Sequence, residues 1–215
     1  MPMDCAVTLS TQPSFVDAAI LKVSDVQAGQ RLEATVLSAP DPDDPKQKSL
    51  MLQLGPGIKA VVTPMHLLDS AGPDTKPSKS DLRRFSPGAK LLTRVLTVSK
   101  DSRKKGEKRS GTKIYVTLKP SLVSEDLDPV LTAYADATVG QQVTGFVTRV
   151  VSAGIIVTFF DNVHGLIPAR DLASSDPKAA SLGAMSAAYP IGSIVRPRIT
   201  SVKPAERRLI LSLKT

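Results

Sequence analysis

The sequence predicts an all-β fold: two five-stranded barrels in tandem, joined by short helical linkers. Three observations carry this expectation. The chain repeats itself once, each repeat is a series of short β-rich runs bounded by turn residues, and a longer connection separates the third and fourth runs. Five strands with such a connection form the OB-type arrangement.

The repeat appears when the chain is written against itself. Gly88 meets Gly192, Arg94 meets Arg198 and Val98 meets Val202 without a gap. The run 114–119 pairs with 209–214, Gly29-Gln30 with Gly140-Gln141, and Leu32, Ala34 and Val36 with Val143, Gly145 and Val147. Self-similarity of this kind marks a repeat architecture. The units are read as 26–123 and 137–215, with a linker at 124–136. Val7-Thr8-Leu9-Ser10, followed by Pro13-Ser14-Phe15-Val16, resembles 116–123. Residues 1–25 are therefore read as the tail and linker of a preceding repeat, and the chain as an excised piece of a longer array.

In the second unit the expected strands are 143–151, 155–160, 164–168, 194–202 and 209–213, because alternation and β-branched residues favour strands. Gly154 and Asp161-Asn162 are turn signals, and Gly145 within the first run is expected to mark a bulge or tight coil. The connection 169–190 has room for a short helix. The first unit follows the same plan with three polar, Pro- and Gly-containing loop expansions at 39–48, 69–82 and 100–113. The linker is expected to hold a helix around 128–137.

Composition narrows the function. A net charge of +8 points to polyanions, nucleic acid first. A single cysteine, Cys5, allows no internal disulfide, as in a reducing compartment. No apolar run reaches the ~20 residues that span a bilayer, so membrane partners are not expected. Nor are small-molecule substrates, cofactors or metals. There is no Gly-rich phosphate loop, and a nucleophile with its base and orienting group is not apparent. His66 and His164 are read as belonging to equivalent third-strand regions, one per barrel, rather than to one cluster. The expected activity is binding without catalysis.

The spacing of Val139, Gly140, Val143, Gly145, Val147, Val150, Gly154 and Val157 resembles the opening of the S1-type RNA-binding domain. His164-Gly165-Leu166-Ile167-Pro168 resembles its third strand and the run 208–214 its ending. The segments 118–123, 134–137 and 160–166 also resemble inter-repeat segments in a family of large eukaryotic ribosomal-RNA-processing factors built from many S1 repeats. The resemblance implies a scaffold in the nucleus and nucleolus that binds pre-ribosomal RNA alongside other pre-ribosome assembly proteins.

The departures from the family pattern matter as well. Where an S1 domain offers two aromatics on its second strand, the second unit has Ala153 and Ile156. The His position is Pro168, the Asp position Lys203, and Arg208 alone fits. In the first unit the His position is Thr63 and the Arg position Lys113. Stacking on aromatics contributes about 1–3 kcal/mol per base, so the lost platforms shift the expectation to electrostatic contacts. The loop 100–113 carries seven Lys/Arg against two acids; Arg103, Lys104, Lys105, Lys108, Arg109 and Lys113 are its candidate phosphate contacts. Arg149, Arg196, Arg198, Lys203, Arg207 and Arg208 are the candidates of the second unit, and Arg94 is the repeat partner of Arg198. Phe146, Phe159 and Phe160 miss the platform positions and are read as packing or interface residues. Two readings remain: an RNA-binding module, or a protein-interaction spacer with a degraded RNA face.

Overall fold

A computed structural model of the chain describes residues 20, 22–40, 49–69, 72–73, 83–100, 112–124, 127, 129–172 and 182–214. In the first unit, β1 (Arg31–Ser38), β2 (Leu50–Gly55), β3 (Ile58–Val62), β4 (Lys90–Lys100) and β5 (Thr112–Thr117) close into a barrel in the order β1-β2-β3-β5-β4. All pairings are antiparallel except that of β3 with β5. Strict alternation drives closure: Leu32, Ala34 and Val36, Leu50 and Leu52, Ile58, Ala60 and Val62, and Ile114 and Val116 all point inward. These small branched side chains fill a narrow barrel without aromatics beyond Phe85.

The second unit contains β6 (Gly145–Val151), β7 (Gly154–Thr158), β8 (His164–Pro168), β9 (Ile194–Val195), β10 (Arg198–Lys203) and β11 (Arg208–Ser212) in the sheet order β10-β11-β8-β7-β6-β9. It keeps the parallel β8–β11 pairing that matches β3–β5. The single fourth strand expected at 194–202 is instead two pieces. Pro197 lacks the N–H that a continuous ladder needs, so β9 pairs with β6, and beyond it the seam continues as an isolated Gln142–Arg198 bridge with the Gly140 and Val143 N–H groups donating to the Ile199 and Pro197 carbonyls. The result is a half-barrel rather than a closed five-stranded one.

Gly145 is not a bulge. It opens β6, and a Cβ there would sit 2.7 Å from both Phe159 and Val157, so this Gly allows close packing. The bulge of β6 falls at Thr148, between Val147 and Arg149, and its repeat partner in β1 falls at Leu37. A second matched pair lies at Leu96 in β4 and Thr200 in β10. A bulge turns one extra side chain off the ladder, and Leu96 and Thr148 consequently face the space between the barrels.

The linker helix differs from the expectation as well. Helix α1 covers Pro120–Val123, and among the described residues the stretch expected around 128–137 holds one 3-10 turn, Tyr134–Asp136. Helix α2, Leu182–Ala188, lies in the long connection, where a short helix was anticipated. Of the three loop expansions, residues 41–48, 70–71, 74–82 and 101–111 lie outside the described residues.

The two units meet in a third apolar cluster. Leu96 of the first barrel, Leu122 and Leu127 of the linker, and Phe146 and Phe160 of the second barrel bury together, with Met65, Tyr115 and Ile194 around them. Phe146 meets His66 edge-on at 4.6 Å between ring centroids. The Arg94 guanidinium lies 5.9 Å from the centre of the Phe160 ring and donates to the Ser124 carbonyl at 2.8 Å. Lys119 is fully buried and donates from Nζ to the carbonyls of Asp69 and Gly192, one on each unit. The Ser121 hydroxyl donates to the Asp69 carboxylate at 2.8 Å and holds the start of α1. Asp161 and Asn162, both with positive φ, bring the β7–β8 loop to Thr97 at 3.2 and 3.5 Å.

Two outcomes follow from this packing. Gly154 has φ +148°, and a Cβ there would fall 2.0 Å from the Ile167 carbonyl. Gly154→Ala is expected to lower unfolding stability by about 3 kcal/mol or more in a urea titration, from combined strain and clash. Phe160→Ala empties a buried aromatic site at the junction and is expected to cost about 3–5 kcal/mol. It should also free the barrels to tumble independently, which 15N relaxation would show as shorter rotational correlation times.

Candidate nucleic-acid interface

One row of side chains crosses the outside of the second unit. Arg149 of β6 stands opposite Ile156 of β7, Ile156 opposite Leu166 of β8, Leu166 opposite Ile210 of β11, and Ile210 opposite Ser201 of β10. Ile156, Leu166 and Ile210 are half-buried and Arg149 is exposed. The position where the family resemblance calls for an aromatic is therefore part of an aliphatic stripe. Beside the stripe Lys203 pairs with Arg208 across the last hairpin, and Arg207 takes a left-handed turn conformation between them (φ 51°). Glu206 accepts from Lys203 at 3.1 Å and from Arg208 at 3.5 Å. Both pairs are solvent-exposed, so each is worth well under about 1 kcal/mol and is readily exchanged for a phosphate.

The other candidates are placed unevenly. Arg196 and Arg198 are exposed and flank the buried Pro197. Lys113 is exposed on β5 opposite Ser99. Arg103, Lys104, Lys105, Lys108 and Arg109 lie outside the described residues. Arg94 is corrected: it is only 3% exposed, its charge is spent on Ser124 and Phe160, and it belongs to the junction rather than to a polyanion-facing surface. Phe146, Phe159 and Phe160 are buried, Phe159 in the second core and the other two between the units.

The two histidines are also corrected. They are neither equivalent nor apart. His66 lies in the 3-10 turn Pro64–His66 after β3, whereas His164 begins β8. Both line one cleft of about 340 Å³ between the barrels. His66 is 5% exposed and its Nδ1 has no hydrogen-bond partner among the described residues. Burial pushes its pKa down to about 3, and the Lys119 charge adds to the effect. Burial likewise lowers Lys119 to about 8, against the pull of Asp69 in the other direction. His164 is lowered by burial and then by Arg149. Its Nδ1 lies 2.8 Å from the Thr158 hydroxyl, which lies 2.9 Å from that of Thr148, and its backbone N–H donates to the Tyr134 hydroxyl.

Sequence reasoning missed Lys119, Tyr115 and the shared cleft. The only available signal was the resemblance of 118–123, 134–137 and 160–166 to inter-repeat segments. Those are the segments that contribute Lys119, Tyr134, Phe160 and His164 to the junction. Among the described residues no group of three or more His, Cys, Asp or Glu converges as a metal site would require.

Residues 136–214 match the S1 RNA binding domain family. Over 215 residues the chain is 29% identical to "Protein RRP5 homolog" of Homo sapiens, covering 99% of this chain and 10% of that protein. It is 29% identical over 202 residues to "rRNA biogenesis protein RRP5" of Arabidopsis thaliana, covering 93% of this chain and 9% of that protein. A third relative, "rrp5" of Schizosaccharomyces pombe, is 25% identical over 207 residues. The chain spans about a tenth of the length of these relatives.

The buried His66 generates a pH prediction. Its folded pKa lies below its unfolded value, so between about 6.5 and about 3 the unfolded chain binds the extra proton. Stability should therefore fall as pH drops through this window. His66→Phe, which keeps the edge contact and removes the titration, should show a smaller fall in urea midpoints measured across the same range.

Proposed function

We propose, from the premise that this chain belongs to the RRP5 family of S1-repeat proteins, that it is a non-catalytic module which binds single-stranded stretches of pre-ribosomal RNA during rRNA processing and subunit assembly in the nucleolus. The observation that carries this reading is the cation-rimmed outer face of the second unit. Arg149, Lys203, Arg207 and Arg208 border an aliphatic row with a single acid, Glu206, among them. Arginine grips phosphate bidentately and stacks on bases, so this rim offers contacts where the aromatic platforms are lacking. Arg196 and Arg198 extend the positive surface along the split fourth strand. Lys113 and the residues 103, 104, 105, 108 and 109 of the segment between β4 and β5 add a second basic stretch of sequence.

A second reading is favoured by a different feature. The stripe Ile156, Leu166, Ile210 is apolar, and Ile156 stands at one of the two positions where the resemblance calls for a stacking aromatic; such a surface suits a protein-assembly partner in the same scaffold. The two readings differ in their salt response. Each phosphate neutralised on single-stranded RNA contributes about 0.7 to the slope of log affinity against log salt. The salt dependence of RNA binding is expected to be steep. Replacing Arg103, Lys104, Lys105, Lys108 and Arg109 by Ala should flatten it and weaken all sequences alike. Changing Arg149, Arg198 and Arg208 together to Ala should weaken binding further. No binding at low salt would favour the protein-assembly reading.

A further inference from the structure

We propose that the cleft between the two barrels is a receptor for one unpaired RNA base, so that the tandem, rather than either barrel alone, is the binding unit. The inference rests on the RNA-binding reading above and adds to it a site that needs both units. Four features of the cleft argue for this ligand.

The first is size. About 340 Å³ is at the small end of ligand pockets. It holds a base with its sugar and is too small for a folded segment.

The second is the chemistry of the walls. The first barrel contributes Tyr115, Thr97 and Ser99, and the second contributes Thr148, Asn162 and His164. Tyr115 is a half-buried flat ring on β5. The others supply hydroxyl, amide and imidazole groups of the kind that read the edge of a base. Among the described residues no carboxylate or ammonium lines the cavity, so the described walls accommodate a neutral base more readily than a phosphate. With its Nδ1 engaged by Thr158, His164 has Nε2 left to face a ligand.

The third is an incomplete polar group. The His66 ring lines the same cleft, is 5% exposed, and has an Nδ1 without a partner among the described residues. A buried polar atom left unsatisfied costs about 1–3 kcal/mol; this Nδ1 is closed off from the cleft, so a base edge would satisfy it only with the ring turned toward the cavity.

The fourth is charge at the rim. Arg149 is close enough to His164 for its charge to be felt there, and Lys113 stands opposite Ser99. Phosphates on either side of an inserted base would find a cation on each unit. Because the base must be unpaired to enter, the cleft selects single strands over duplexes of equal charge.

The test uses the whole 215-residue chain and an oligouridine of about ten nucleotides carrying one 4-thiouridine, a length within the range one OB fold covers. Photocrosslinks are expected at Tyr115 or His164. Tyr115→Ala should weaken single-strand binding by about 5- to 150-fold, the loss of one stacked base, with the salt slope unchanged. Tyr115→Phe should bind like the wild type. Because Tyr115 also packs at the junction, His164→Ala provides an independent variant and should weaken binding in the same salt-insensitive way. If the wild type binds single strands while both alanine variants bind equally well, and crosslinks fall only on the outer Lys and Arg residues, the cleft is not the receptor and the RNA reading stands without it. If the wild type does not bind even at low salt, the RNA reading itself fails. If Tyr115 becomes protected by a polypeptide instead of by RNA in the longer protein, the proposal is overturned in favour of a protein partner.

Discussion

The architecture turns on two buried cations at one seam. Lys119 has no exposure and is held by carbonyls from both units, and Arg94 is fixed between the linker and the Phe160 ring. A charge taken out of water is tolerated only where polar partners surround it. Here those partners come from different units, so the charges are satisfied only in the docked arrangement. That requirement gives the junction a specificity that the greasy contacts of Leu96, Leu122, Leu127, Phe146 and Phe160 would not impose alone, because apolar surfaces slide without a large penalty whereas a buried ammonium does not.

The docked arrangement in turn shapes the surfaces. It covers one side of the first barrel with the β7–β8 loop and the Phe146 ring, and it creates the cleft whose walls belong to both units. The outer row of the second unit, from Arg149 to Ser201, stays open. The two repeats therefore present different faces despite their common plan. Matched bulges at Leu37 and Thr148, and at Leu96 and Thr200, have different neighbours for the same reason. Leu96 is buried by the following unit, whereas Thr200 is exposed and donates to the Ile210 carbonyl.

Much of this was legible in the residues. Alternation and turn signals placed β8 at its observed bounds and β7 and β11 within two residues, because each strand has one buried face and a one-residue slip would expose it. The repeat pairing of Gly88 with Gly192 and Val98 with Val202 located the fourth strands. The split at Pro197 was readable in principle from the missing N–H, but β-rich residues on both sides concealed it. Among the described residues the helix expected near 128–137 is a single turn, because a segment with Pro129 near its start is laid down by packing against both units rather than by its own propensity.

The candidate site was less legible, and Arg94 shows why. It aligns with Arg198 without a gap, as Lys119 aligns with Lys214, so the sequence gives each pair the same standing. Arg198 and Lys214 are exposed, while Arg94 and Lys119 are buried. The sequence by itself determined the fold class, the repeat and the positive charge, because these depend on local alternation, turn chemistry and composition. Only the tertiary structure decided which cations face water and which side chains from different units share a cleft, because burial is set by what a neighbouring unit covers, and that neighbour is distant along the chain.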